Sequence, residues 1–245
     1  MLISKNNGLF LLIAAGRGGY MNIAWLLAEF IGTFTLIFIG AGSICLNEMT
    51  HGGVGMLGIA AAHGLAIAVM ILALAHLSGG KFNPAVSLGV WVGGQQSTIL
   101  TFAEIVAQLL GASVGAFALQ GVFPAATISM AKLGTPAIEA SLSSSVGIFT
   151  EAILTFLLVL VVYGTAIDPR GNSKGMSGLA IGGFILCGIL MGGGITGGAM
   201  NPARAFGPAL ISGEWAYQYV YWIGPIIGGL LAGILYSRLL IKNKL

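Results

Sequence analysis

The stretch Gly197-Gly198-Ala199-Met200-Asn201-Pro202-Ala203-Arg204-Ala205-Phe206-Gly207-Pro208-Ala209-Leu210 decides how this chain folds. Its centre is Asn201-Pro202-Ala203. Asparagine is a strong helix N-cap and proline is favoured at the first helical position, so the triplet starts a helix. The glycine pair before it is a non-helical approach. A second copy lies upstream, Ser78-Gly79-Gly80-Lys81-Phe82-Asn83-Pro84-Ala85-Val86-Ser87. Each triplet follows a Gly-Gly pair inside an apolar chain. Roughly ten mildly apolar residues come after each, Ala85 to Val92 and Ala203 to Ile211, too few to cross a membrane.

The surroundings of the two triplets are those of a membrane protein. Of 245 residues, 57% are hydrophobic and 7% charged, against about 25% charged in soluble domains. Apolar runs cover about 24–45, 55–77, 98–121, 146–167, 176–195 and 216–240, each near the ~20 residues needed to span. Six spans put both termini on one side. Lys5, Arg17, Lys81, Arg170, Lys174, Arg238, Lys242 and Lys244 fall in the tails and the second and fourth connections, whereas the other connections hold only Lys132 and Arg204. This bias makes both termini cytoplasmic. Residues 1–23 read as a cytoplasmic N-terminal extension, since the run Leu9 to Ala15 is too short to span, and residues 24–245 as a single domain. The net charge of +3 is too small and dispersed for nucleic acid. Cys45 and Cys187 offer neither a disulfide framework nor a metal-ligand spacing. No Ser-His or His-carboxylate pattern suggests a catalytic residue.

The chain repeats itself. Ala28-Glu-Phe-Ile-Gly-Thr-Phe34 returns as Thr150-Glu-Ala-Ile-Leu-Thr-Phe156, and Gly64-Leu-Ala-Ile67 as Gly178-Leu-Ala-Ile181. The offsets are 151 − 29 = 122, 201 − 83 = 118 and 225 − 108 = 117. Two units result, about 24–123 and 146–240. Each has three spans, so the second is inverted relative to the first, and the site is expected near the midplane between them. From Gly-Leu-Ala-Ile to Asn-Pro-Ala the second unit has 23 residues against 19, which reads as one added helical turn on the outer side. The half-helices then enter from opposite faces and meet at the centre. Irregular backbone at that depth must be buried in protein or line a wet cavity. The two N-termini, each carrying roughly half a positive charge, disfavour cations there.

Three charges stand out. Glu29 and Glu151 lie inside spans at equivalent positions, and a carboxylate within a span is costly and usually functional. Arg204 is the only charge in the outer re-entrant segment before Glu214, and an arginine there does not face lipid.

This pattern resembles the signature of the aquaporin (major intrinsic protein) family, over most of the chain from about Ala24. The resemblance implies an all-α membrane fold of six transmembrane helices plus two re-entrant half-helices in an inverted 3+3 repeat. It implies a passive channel for water and small neutral solutes in the lipid bilayer of the cell (plasma) membrane, a homotetramer with one pore per subunit, and no enzymatic activity, cofactor or metal. It makes Asn83, Pro84, Ala85, Asn201, Pro202 and Ala203 pore motifs. Glu29 and Glu151 become acceptors for the loop leading into each half-helix. A constriction is carried over by spacing: His63, 83 − 63 = 20 residues before Asn83, Ile189, 201 − 189 = 12 before Asn201, Gly198, and Arg204. Glycerol conductors in the family carry Asp after the arginine and a basic residue four further on. Ala205 and Ala209 stand here, and Tyr221-Trp222 also resembles the water branch.

With aliphatic Ile189 and side-chain-free Gly198, the constriction resembles that of certain plant tonoplast intrinsic proteins, which conduct ammonia as well as water. That implies water and ammonia permeation, with glycerol slow or absent and protons and ions excluded. His63 and Arg204 would supply donors. Lys81 departs from the family, which has histidine there, and would either charge the cytoplasmic mouth or snorkel. Two alternatives remain: a facilitator of glycerol and similar neutral solutes, and a secondary transporter, which can also use inverted repeats and broken helices. Against the transporter, the central carboxylates considered, Glu29 and Glu151, have scaffold roles.

Overall fold

The computed structural model describes residues 23–171 and 175–241 in full, with the backbone of 13–14 and 20–21. The readings of the N-terminal extension and of the basic tail beyond Ile241 lie outside the described residues, apart from an antiparallel pairing of Ile13–Ala14 with Tyr20–Met21. The helices are α1 (Ile23–Met49), α2 (Gly55–Ser78), the half-helix α3 (Pro84–Val92), α4 (Thr98–Gln120), the short α5 (Ala125–Ala131), α6 (Ser144–Ile167), α7 (Ser177–Gly192), the half-helix α8 (Pro202–Ser212) and α9 (Val220–Leu240). Their starts follow local chemistry. The hydroxyls of Ser97 and Ser143 cap α4 and α6, and Asn83 and Asn201 cap the half-helices.

Helices α1, α2, α4, α6 and α9 are each long and apolar enough to cross a membrane. Helix α7 is shorter than the run 176–195 suggests. Its 16 residues rise about 24 Å at about 1.5 Å each. It stops at Gly192, whose carbonyl accepts from the amides of both Ile195 and Thr196 as the chain turns toward α8. Polarity is arranged inside out. Large apolar side chains such as Leu65, Val69, Phe102, Val106, Phe149 and Leu231 are exposed, while Glu29, Gln108, Glu151 and Arg204 are buried. That distribution suits a solvent of lipid tails, and every buried polar group must then find its partner within the protein.

The inverted repeat is visible in the closest helix contacts. A Cβ on Gly111 of α4 would fall 2.3 Å from the Phe30 carbonyl of α1, and one on Gly228 of α9 would fall 2.1 Å from the Ala152 carbonyl of α6. Small residues admit this approach. Gly64 and Gly182 meet each other in the same way, each with the other's carbonyl at 2.4 and 2.2 Å from where a Cβ would stand. Two residues related by a two-fold axis meet reciprocally like this. Their offset, 182 − 64 = 118, equals that of the Asn-Pro-Ala triplets. The Gly-Leu-Ala-Ile match therefore pairs the wrong turn. Gly178 and Gly182 share a helix face four residues apart, and the sequence echo falls on the first while the packing uses the second. The added helical turn expected in the second unit is not there.

Candidate functional site

Each re-entrant loop is suspended from a buried carboxylate. Glu29 Oε1 accepts from Ser78 Oγ (2.7 Å) and the Lys81 amide (3.1 Å), and its Oε2 from the Phe82 amide (2.7 Å) and Gln108 Nε2 (2.7 Å). Glu151 does the same for the second loop. Its Oε1 accepts from Thr196 Oγ1 (2.7 Å) and the Ala199 amide (2.9 Å), and its Oε2 from the Met200 amide (2.7 Å). Charge-assisted bonds of this kind are short and strong. They hold backbone that no regular ladder could satisfy. Phe82 and Met200 both take left-handed backbone, with φ of 49° and 51°. That turn aims the next residue, the asparagine, into the helix axis.

Asn83 and Asn201 then tie the two halves together. The Asn83 side-chain oxygen accepts from the Ala85 amide, and the Asn201 oxygen from the amides of Ala203 and Arg204. Each nitrogen crosses to the other half: Asn83 Nδ2 donates to the Met200 carbonyl at 2.8 Å, and Asn201 Nδ2 to the Phe82 carbonyl at 2.9 Å. A side-chain amide has two N–H groups, so each asparagine keeps a second donor. Both line the two cavities that meet at this waist. One cavity, of about 360 Å³, opens between residues 79–81 on one side and Asp168, Pro169, Gly171 and Gly175 on the other, and is walled by Ile67, Ile71, Ile181 and Ile185. Beside it Asp168 is bonded by the Arg170 guanidinium, which holds the carboxyl well below the usual carboxylate range.

The second cavity is narrow, about 20 Å³, which is room for roughly one water. His63, Ile189, Gly198 and Arg204 all line it, with Leu36 and Met200. Four positions from α2, α7, the second loop and α8 thus converge. Gly198 has φ of +57°, and a Cβ there would meet the Gly188 carbonyl and the Ile189 Cα at 3.1 Å. Glycine at this place leaves the lumen side bare and also fits the backbone. Arg204 is buried and donates from Nη1 to the Gly134 carbonyl at 2.7 Å. His63 Nδ1 lies 2.9 Å from the Ile59 carbonyl. A carbonyl only accepts, so Nδ1 carries a proton and donates to it.

Several participants were not foreseen. Glu104 is a third fully buried carboxylate, in α4, so Glu29 and Glu151 are not alone in the core. Lys81 neither charges the mouth nor snorkels. Its side chain is 8% exposed and its ammonium is bound to Glu104 Oε1 at 2.8 Å. The Tyr221 hydroxyl donates to the Thr196 carbonyl at 2.9 Å. Lys132, Leu133 and Gly134 take three successive left-handed conformations that bring the Gly134 carbonyl to Arg204. The one sequence sign of these would have been the lone glutamate inside an otherwise apolar run.

Membrane-crossing helices around two opposed half-helices, with a cavity at their meeting point that has room for about one water, define a membrane channel. The chain belongs to the major intrinsic protein family, whose profile, described as Major intrinsic protein, matches residues 20–236. It is 42% identical over 220 residues to Aquaporin TIP4-4 of Zea mays, covering 87% of this chain and 85% of that one. It is 41% identical over 224 residues to Aquaporin TIP2-1 of Arabidopsis thaliana, covering 89% and 88%. Among solved structures it resembles the aquaglyceroporin from Plasmodium falciparum, with a TM-score of 0.79 and 29% identity over 89% of this chain and 96% of that one. The protein is a multi-pass membrane channel for water, and not an enzyme.

Proposed function

We propose that the channel passes ammonia as well as water, that His63, Ile189, Gly198 and Arg204 are its selectivity constriction, and that the Asn83 and Asn201 triplets line its waist. The observation that carries this reading is the convergence of the four residues on one cavity with room for a single water. Ile189 makes one wall aliphatic, and Gly198 adds no side chain. Arg204 offers fixed donors to a lone pair, and the His63 ring edge stands beside it on the same side. Ammonia is neutral, close to water in size and a good acceptor. Ammonium and protons meet a permanent cation and two half-helix N-termini. Glycerol, far larger than water, is slow through a constriction whose cavity has room for about one water.

A step of ammonium outside proteoliposomes tests this. Entry of ammonia alkalinises the lumen, and the rate should exceed that of empty vesicles. Ile189→His should suppress it more than it suppresses water flux. Gly198→Cys is the poorer probe, because a side chain at its φ is strained. Ordinary water flux with no alkalinisation beyond empty vesicles would restrict the channel to water.

We also infer a homotetramer with both termini cytoplasmic. The exposed apolar belt, the bias of positive charge and the family resemblance support this. Mass measurement of the detergent-extracted protein tests the oligomer. Protease access to tagged termini in intact cells tests the orientation, and membrane fractionation tests the expected location in the cell membrane.

A further inference from the structure

The two re-entrant loops differ in how one carbonyl is satisfied. In the second unit the Thr196 carbonyl accepts from the Tyr221 hydroxyl at 2.9 Å. Its counterpart in the first is Ser78 (196 − 78 = 118), whose carbonyl accepts from Lys81 Nζ at 2.9 Å. At Tyr221's place the first unit has Glu104 (221 − 104 = 117), and at Lys81's place the second has Ala199 (199 − 81 = 118). A carboxylate cannot donate, so the glutamate alone leaves the carbonyl without a donor. The lysine supplies one, and the glutamate in turn neutralises the lysine.

Glu104 gathers more than this one partner. Its Oε1 accepts from Lys81 Nζ (2.8 Å) and Trp25 Nε1 (2.6 Å), and its Oε2 from Gln96 Nε2 (2.7 Å) and Ser87 Oγ (3.2 Å). Those donors belong to the loop, to α1, to the connection after α3 and to α3 itself. Lys81 Nζ also lies 5.3 Å from the centre of the Trp25 ring. Glu104 is fully buried and its charge is matched within the protein.

We propose that Lys81 and Glu104 are a paired positioning device for the first re-entrant loop. They do through a buried ion pair what Tyr221 does through a hydroxyl, and they keep Asn83 in register without adding net charge to the passage. This rests on the reading of Asn83 as a lining group of the waist. Removing one member of such a pair leaves a buried charge unmatched, so the test uses variants that remove both.

Lys81→Ala with Glu104→Gln removes both charges and leaves the Ser78 carbonyl without its donor. Lys81→Ala with Glu104→Tyr copies the second unit, where alanine and tyrosine occupy these places. Each is reconstituted beside the unaltered protein. Water permeability per folded protomer, the glycerol-to-water permeability ratio and thermal unfolding are measured. The glutamine variant should lose several-fold in water permeability and show a raised ratio. The tyrosine variant should return both to the unaltered values. The proposal is overturned if the two variants have the same water permeability and the same glycerol-to-water ratio, or if the glutamine variant matches the unaltered protein. Absence of water flux in the unaltered protein would instead remove the reading of the waist itself.

Discussion

Gly40 of α1 lies directly behind the imidazole of His63: a Cβ on Gly40 would stand 2.5 Å from His63 Cδ2 and 2.7 Å from Nε2. The glycine sits in a stretch of α1 wound wider than an α-helix, Leu36–Ala41, and Leu36 of the same stretch lines the narrow cavity. Gly40→Ala should displace the ring, at a cost of about 1–3 kcal/mol for overpacking. Ring and cavity are adjacent, so water permeability per channel should fall. Stopped-flow shrinkage of proteoliposomes checks it. Unchanged flux in a normally folded variant would mean that the ring position does not limit passage.

Arg204→Val removes the permanent cation beside the narrow cavity. Water flux should be largely kept, while exclusion of cations or larger solutes loosens. The Gly134 carbonyl loses its donor as well, a cost of about 1–3 kcal/mol for a buried group. Conductance and glycerol uptake measured together check this. No change in either would place Arg204 away from the passage.

Substitutions at Glu29 and Glu151 should separate by the number of acceptors they retain. Both oxygens of each carboxylate are used. Glutamine keeps one oxygen and turns donors of its own toward the other loop amide, so it should partly preserve the fold. Leucine removes every acceptor and should cost more, about 1–3 kcal/mol for each buried donor stranded. Thermal unfolding of the four variants checks the order, and equal tolerance of glutamine and leucine would contradict the suspended-loop arrangement.

The Asp168–Arg170 pair gives a dependence on pH with a definite sign. The guanidinium lowers the folded carboxyl below its ordinary value. A depressed carboxylate stabilises above its unfolded pKa and loses that contribution as pH falls through the folded value. The 168–171 connection should therefore be insensitive to pH from about 5 to about 8, because an ordinary aspartate already titrates near 4. Arg170→Ala should lower stability above about pH 4 and remove the pair's share of the acid loss, so that variant and unaltered protein converge as pH falls below about 4. Unfolding temperature across an acid series checks it, and an acid limb equally steep in both proteins would exclude the pair.

The parts of this architecture that are local in the chain could be read from the chain. Asn-Pro-Ala is a cap and a first turn in three residues, so its duplication announced both half-helices. A glutamate at the same place in two repeated spans announced the two suspended loops. What failed was whatever depended on packing. The repeat register slipped by four because Gly178 and Gly182 are one turn apart and only the contact with Gly64 chooses between them. Lys81 looked like a solvated charge because its partner, 23 residues on, is adjacent only after α4 folds back. Nothing in Lys132 or Leu133 marks them for left-handed backbone, so the carbonyl that meets Arg204 could not be named.

The crossed bonds of the asparagines also set an order of events during synthesis. Asn83 Nδ2 finds its acceptor 117 residues later, and the Phe82 carbonyl finds its donor 119 residues later. Until Met200 and Asn201 have left the ribosome and the second half-helix has entered from the opposite face, the first re-entrant segment waits in the bilayer fastened at Glu29 and Glu104. The waist thus cannot be completed before the second half is made, and a nascent chain that stops before residue 200 holds an asparagine whose acceptor does not yet exist.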